Sequence, residues 1–134
     1  MQIEILEPAG DAYRPGVCNI GPREVAKRRA FGVVGIAVAV ALGALLLVVD
    51  APPLARILVL LPLWGGLISL EQARRKFCAG FARAGIRTAF GSDATEAVTD
   101  AGDLATDRAA GQRMVAYCGA VAAAVTAVFV LLPI

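Results

Sequence analysis

The residues of this chain best suited to chemistry are its three cysteines, Cys18, Cys78 and Cys118. Thiolates are nucleophiles and soft-metal ligands, so cysteines held at one level would suit sulfur handling, redox exchange or capture of a soft metal. Cys18 lies just before the first apolar segment, Cys78 just after the second, and Cys118 about one helical turn into the third. All three therefore map to one interfacial layer, where nearby arginines would favour the thiolate. No Cys-x-x-Cys spacing supports a shared site, and the simpler alternative is three separate small residues, with Cys118 a packing residue. A permanent disulfide is not expected in a layer that faces a reducing cytosol. The chain has no histidine at all, which removes imidazole bases, Ser-His catalysis, histidine-ligated haem and the common zinc sites. With no Gly-rich phosphate loop, paired catalytic carboxylates or nucleophile elbow, neither a cofactor nor an enzyme activity is expected.

A second set of residues is acidic. Asp93, Glu96, Asp100, Asp103 and Asp107 recur at spacings of three and four, which on a helix makes one carboxylate stripe. Such a stripe could collect a divalent cation or meet a basic partner. A solvated helix face is the plainer alternative, and the same carboxylates could neutralise the arginine-rich stretch 74–87. Asp93 with Glu96 has the form of a capping box that would open this helix after a break at Gly91-Ser92.

The elements that must position these groups are three apolar blocks at 30–49, 54–70 and 114–134. The chain is 134 residues long and 58% hydrophobic, with the apolar residues gathered in these blocks. A bilayer core of about 30 Å takes about 20 residues of apolar helix. The expected fold is an all-α membrane protein with three transmembrane helices, a helical hairpin plus a C-terminal span, and a cytosolic amphipathic linker. Residues 1–21 read as a polar tail kept extended by Pro8, Gly10, Pro15 and Gly16. Residues 22–78 form the hairpin, 79–113 the amphipathic and acidic linker, and 114–134 the third span. Pro22 suits the first turn of a helix, where a missing N–H costs nothing, and Glu24 suits its positive end. Pro52-Pro53 closes the first span and restarts the second. In the second, Arg56 is expected to snorkel to the headgroups, and Pro62 with Gly65-Gly66 to kink the helix. The stretch 71–90 would leave the bilayer and lie on its surface, with Phe77, Phe81, Ile86 and Phe90 dipping in.

Gly32, Gly35, Ala39 and Gly43 place small residues along one face of the first helix, where another backbone can approach closely. The basic residues set the orientation. Lys27, Arg28, Arg29, Arg74, Arg75, Lys76, Arg83 and Arg87 bracket the hairpin and are expected to contact anionic lipid headgroups. The positive-inside rule then puts the N-terminus and the linker in the cytoplasm and the C-terminus outside, in a membrane of the bacterial inner type. The acidic opening, Met1-Gln2-Ile3-Glu4, does not suit a cleaved signal peptide, so the first block would act as a signal anchor. A formal net charge of +2 gives no case for a nucleic-acid partner.

The segments Asn19-Ile20-Gly21-Pro22-Arg23-Glu24-Val25-Ala26-Lys27-Arg28 and Lys76-Phe77-Cys78-Ala79-Gly80-Phe81 flank the hairpin. With it they resemble the two-helix transmembrane domain of YgaP-type bacterial inner-membrane rhodanese proteins. The resemblance covers residues 19–90; the third span lies outside it, and no proline follows Cys78 as the family pattern would have it. It implies a sulfur-related or accessory membrane role, often as a homodimer, with Cys78 as a thiol site and no rhodanese active site. Together these features favour an accessory or scaffold protein that packs against other membrane subunits or itself through the small-residue face of helix one. The alternatives are a thiol-dependent protein handling sulfur or a soft metal and, last, a small oligomeric transporter, for which the spans offer only Ser69 and Thr126.

Overall fold

Pro22 opens the first helix as its residue type dictates, and α1 runs over Pro22–Val48 with Glu24 in its first turn. The structure, a computed structural model, describes residues 13–89 and 94–134. Pro8, Gly10, Phe90, Gly91, Ser92 and Asp93 lie outside the described residues. At 27 residues, α1 is about 40 Å long. It ends with Asp50 in the left-handed region at φ 56°. The Ala51 N–H donates to the Leu46 carbonyl at 2.9 Å, and the Asp50 N–H to Leu47 at 3.2 Å. This pair of returning bonds satisfies the last carbonyls of the helix before Pro52 and Pro53 forbid its continuation.

A 3₁₀ helix, Pro53–Val59, leads directly into α2, Leu60–Arg75. Pro62 falls in the first turn of α2, so its missing N–H coincides with the change of helix type. The α-helix then continues unbroken through Gly65 and Gly66, where a kink was expected. At the other end Lys76 takes a left-handed conformation, φ 58°, and the Phe77 N–H returns to the Gln72 carbonyl at 3.1 Å.

The stripe of small residues on α1 is filled by the protein itself. A Cβ added to Gly35 would stand 2.8 Å from the Gly66 Cα, and one added to Gly32 would stand 2.5 Å from Leu70 Cγ. Ala39 is buried, and Gly43 lies against Phe129 and Val59. The face expected to meet another subunit is therefore covered by α2 and by the last helix, and α1 turns Phe31, Val33, Val34, Val38, Val40 and Leu45 outward.

Between the second and third spans the chain departs most from expectation. Instead of a surface-lying helix there is a short helix α3, Ala79–Ala84, ended by Gly85 at φ 76°. A two-stranded antiparallel sheet follows, β1 Ile86–Thr88 with β2 Thr95–Ala97, in the register Ile86↔Ala97, Arg87↔Glu96 and Thr88↔Thr95. Ile86, Thr88 and Thr95 are β-branched and suit a pleated strand, and Arg87 pairs with Glu96 opposite it. Phe77 does not dip into lipid. It is 1% exposed and packs with Ala82, Ala110, Met114 and Cys118.

The last helix, α4, is one continuous element over Ala101–Leu131. The expected border between linker and span near residue 113 lies inside it. Asp100 Oδ2 caps it by accepting from the Asp103 N–H at 2.8 Å. Glu96, expected as part of a capping box, sits in β2 instead. Asp107 is 1% exposed rather than solvated. Its carboxylate accepts from the Gly16 N–H at 2.7 Å and the Tyr13 hydroxyl at 2.8 Å. These bonds fold residues 13–21 against α4, where an extended tail was expected. The Val17 N–H closes a turn on the Arg14 carbonyl at 2.9 Å, with Pro15 and Gly16 (φ 74°) at the positions a type II turn requires.

Three helices, Pro22–Val48, Pro53–Arg75 and Ala101–Leu131, are long and apolar enough to cross a membrane. The 13–21 segment, α3, the sheet and the start of α4 form a cap at one end of this bundle. At the opposite end Arg56 is 3% exposed and does not snorkel. It donates to the carbonyls of Phe129 at 2.9 Å and Leu132 at 3.0 Å and to the Ile134 main-chain oxygen, with its guanidinium 5.2 Å from the Phe129 ring. The last carbonyls of a helix lack intrahelical donors and carry its negative dipole end, so they are natural partners for this guanidinium.

The Gly35–Gly66 contact separates two neighbouring glycines by experiment. Gly66→Leu is expected to force α1 and α2 apart and cost roughly 1–3 kcal/mol or more. Gly65→Ala, whose Cβ meets nothing within 4 Å, is expected to be neutral or stabilising. Thermal unfolding of both variants in detergent checks this.

Candidate functional site

The site with the most specific polar geometry is the junction of the segment before α1, the turn after α2 and the start of α3. Asn19 is its centre and is 2% exposed. Its side-chain amide pairs with the backbone of Cys78 as a peptide would: Nδ2 donates to the Cys78 carbonyl at 3.0 Å, and Oδ1 accepts the Cys78 N–H at 2.6 Å. Its own N–H donates to Lys76 O at 3.1 Å, and its carbonyl accepts the Thr88 N–H at 3.0 Å. One residue thus ties three segments, and asparagine suits the task because it carries donor and acceptor on one planar group.

With its backbone held, Cys78 serves as N-cap of α3. Its Sγ accepts the Phe81 N–H at 3.4 Å, and Gln72 Oε1 accepts the neighbouring Ala79 N–H at 2.9 Å. Arg28 Nη2 donates to the same sulfur at 3.1 Å. The Arg28 guanidinium also holds Glu24 at 2.9 Å and lies 5.7 Å from the Phe81 ring. The contact is a charge-assisted hydrogen bond from guanidinium to sulfur. Cys78 is nonetheless only 4% exposed, so any thiol chemistry must pass a packed shell.

The three cysteines occupy different surroundings and no disulfide joins them. Cys78 packs with Ile20, Val25 and Ala73, while Cys118 belongs to the cluster around Phe77 and Met114. Cys18 is buried near the turn, its Sγ 3.8 Å from the Ile20 carbonyl. Among the described residues, no group of three or more cysteines and carboxylates is placed to hold a metal ion.

Of the basic residues expected at headgroups, Lys27, Arg29, Arg74, Arg75 and Arg83 are exposed and Lys76 is half-buried. Two are drawn inward instead. Arg28 faces Cys78, and Arg87 pairs with Glu96 and lies 4.8 Å from the Tyr13 ring. Arg74 and Arg75 both bind Glu71, at 2.7 and 2.8 Å.

Sequence reasoning passed over Asn19, Gln72, Tyr13 and the inward turn of Asp107. For Asn19 a local signal exists: an asparagine three residues before a proline-opened helix, with glycine between them. The partners of Tyr13 and Asp107 lie more than 90 positions apart, beyond any local pattern. Comparison with protein-family models, with curated proteins and with solved structures gives no match.

Two outcomes follow from this geometry. Asn19→Leu would leave the Cys78 N–H and carbonyl buried without partners, so a loss of about 2 kcal/mol or more in thermal unfolding is expected. Burial, and next the hydrogen bond to Asp107, push the Tyr13 phenol above its ordinary value of 10.0. A raised value means the folded state favours the neutral phenol. Its stabilisation is therefore full below pH 10 and is lost as pH rises through the higher folded value. Stability scans of the native protein are expected to show this alkaline loss, and Tyr13→Phe to lack it.

Proposed function

We propose that the protein is a three-span integral membrane protein acting as an accessory or scaffold subunit, with its cap in the cytoplasm and the end of α4 at the far face. The observation that carries this is the division of its surfaces. The buried side chains of Asn19, Gln72 and Asp107 in the cap are spent on internal bonds, and the small-residue face of α1 is spent on α2 and α4. What α1 leaves outward is a smooth apolar face of valines with Phe31 and Leu45, suited to lipid and to a neighbouring apolar helix. Beside it a lipid-facing groove of about 380 Å³ runs between α1, α2 and α4. The only cation in the hairpin bend, Arg56, is consumed in closing α4.

The orientation is supported by the basic residues. Lys27, Arg29, Arg74 and Arg75 lie exposed at the cap end, as the positive-inside rule asks of a cytoplasmic face. A second reading, a thiol function at Cys78, is favoured by the Arg28 guanidinium 3.1 Å from its sulfur.

The native mass after gentle extraction from the membrane tests both. A stoichiometric complex with other subunits, unchanged in the Cys18→Ser/Cys78→Ser variant, is the expected result. A lone monomer would overturn the scaffold reading. Loss of function in the serine variant, with its mass unchanged, would favour the thiol.

A further inference from the structure

Between α3 and α4, on the flank of the cap, lies a groove of about 440 Å³. Arg83, Arg108 and Gln112 line it together with Val115 and Ala116. The close approach of Gly111 to Ala79, whose Cα would lie 3.3 Å from an added Cβ, forms the floor. Arg83 and Arg108 are both exposed. Neither pairs with a carboxylate among the described residues, unlike Arg74 and Arg75, which share Glu71.

We propose that this groove binds the phosphodiester headgroup of an anionic phospholipid. Arg83 and Arg108 would grip the phosphate from two sides, because a planar guanidinium presents paired N–H donors to phosphate oxygens. Gln112 supplies a further amide donor. Along α4 the lining passes from Arg108 and Gln112 to Val115 and Ala116, about one turn beyond Gln112 and two beyond Arg108, toward the apolar part of the helix. That sequence of surfaces matches an amphiphile, a charged head above and an acyl chain below, and not a free anion. The two arginines, neither paired with a carboxylate among the described residues, favour an anionic lipid over a zwitterionic one, whose own cation would sit beside them. The start of α3 is anchored by the bonds of Cys78, Ala79 and Phe81 to Asn19, Gln72 and the Cys78 sulfur, which sets the helix carrying Arg83 against α4.

The proposal rests on the reading of the helices as membrane spans, and its test keeps the two apart. The full-length protein is purified in detergent with a defined mixture of phosphatidylglycerol and phosphatidylcholine, and retained lipid is measured by native mass spectrometry. Preferential retention of phosphatidylglycerol is expected, falling roughly tenfold in the Arg83→Gln/Arg108→Gln variant. Arg74→Gln, which removes a cation of equal charge outside the groove, is expected to change it little. Neither glutamine in the double variant breaks an internal bond, and an unchanged circular-dichroism spectrum verifies the fold. An equal loss in Arg74→Gln would reduce the effect to general surface charge and overturn the site. Displacement of the lipid by inorganic phosphate or glycerol 3-phosphate at millimolar concentration would make it a soluble-anion site and overturn it too. Protein recovered in the aqueous fraction without detergent would overturn the membrane reading itself.

Discussion

The carboxamide of Asn19 is the constraint on which the cap depends. A buried side-chain amide that pairs with both polar atoms of Cys78 acts as an extra peptide group, inserted between a strand-like entry and a turn. It fixes where the chain enters α1 relative to where it leaves α2. From that follow the approach of Arg28 to the Cys78 sulfur, the start of α3, and the bond from Thr88 that seats β1. Little water reaches this place, so each polar atom must find its partner in the protein, and the geometry has little freedom left.

Within the bundle the controlling forces are different. In a bilayer, apolar side chains would gain nothing by leaving lipid for one another, and hydrophobicity alone would not choose which faces of three apolar helices meet. Shape chooses them. Gly35 and Gly66 let two backbones touch, and Gly119 makes room for the Trp64 indole, whose Nε1 donates to the Val115 carbonyl at 3.2 Å. The ends are then fixed by charge and hydrogen bonds, Asp107 and Asn19 at the cap and Arg56 opposite. Packing decides the pairing, and polar closure decides the register.

Much of the bundle was legible in the sequence because its causes are local. Block length gave three helices able to span. Pro22 and the Pro52-Pro53 pair marked their limits, and the glycines of α1 marked a close approach. The partner of those glycines was not legible, since a small-residue stripe fits its own hairpin and a foreign helix equally well. The cap was misread for a sharper reason. Carboxylates at spacings of three and four imitate a helix, yet Glu96 answers to Arg87 across a strand pair and Asp107 answers to a turn near residue 16. Among the described carboxylates of the stripe, only Asp100 and Asp103 play the local role their spacing suggests. Arg56 misled in the same way: its distance from the block edge suggested headgroups, whereas the carbonyls that hold it arrive more than 70 positions later.

That late arrival has a meaning for how the chain is made. If the hairpin enters a bilayer first, Arg56 waits at the far surface with nothing to bind until the end of α4 crosses to meet it. The terminal guanidinium nitrogens of Arg56 and the last carbonyls of α4 are complementary, and one docking event pairs them. The far end of the bundle is thus closed only where residues of the second and third long helices meet, so its integrity depends on both being docked.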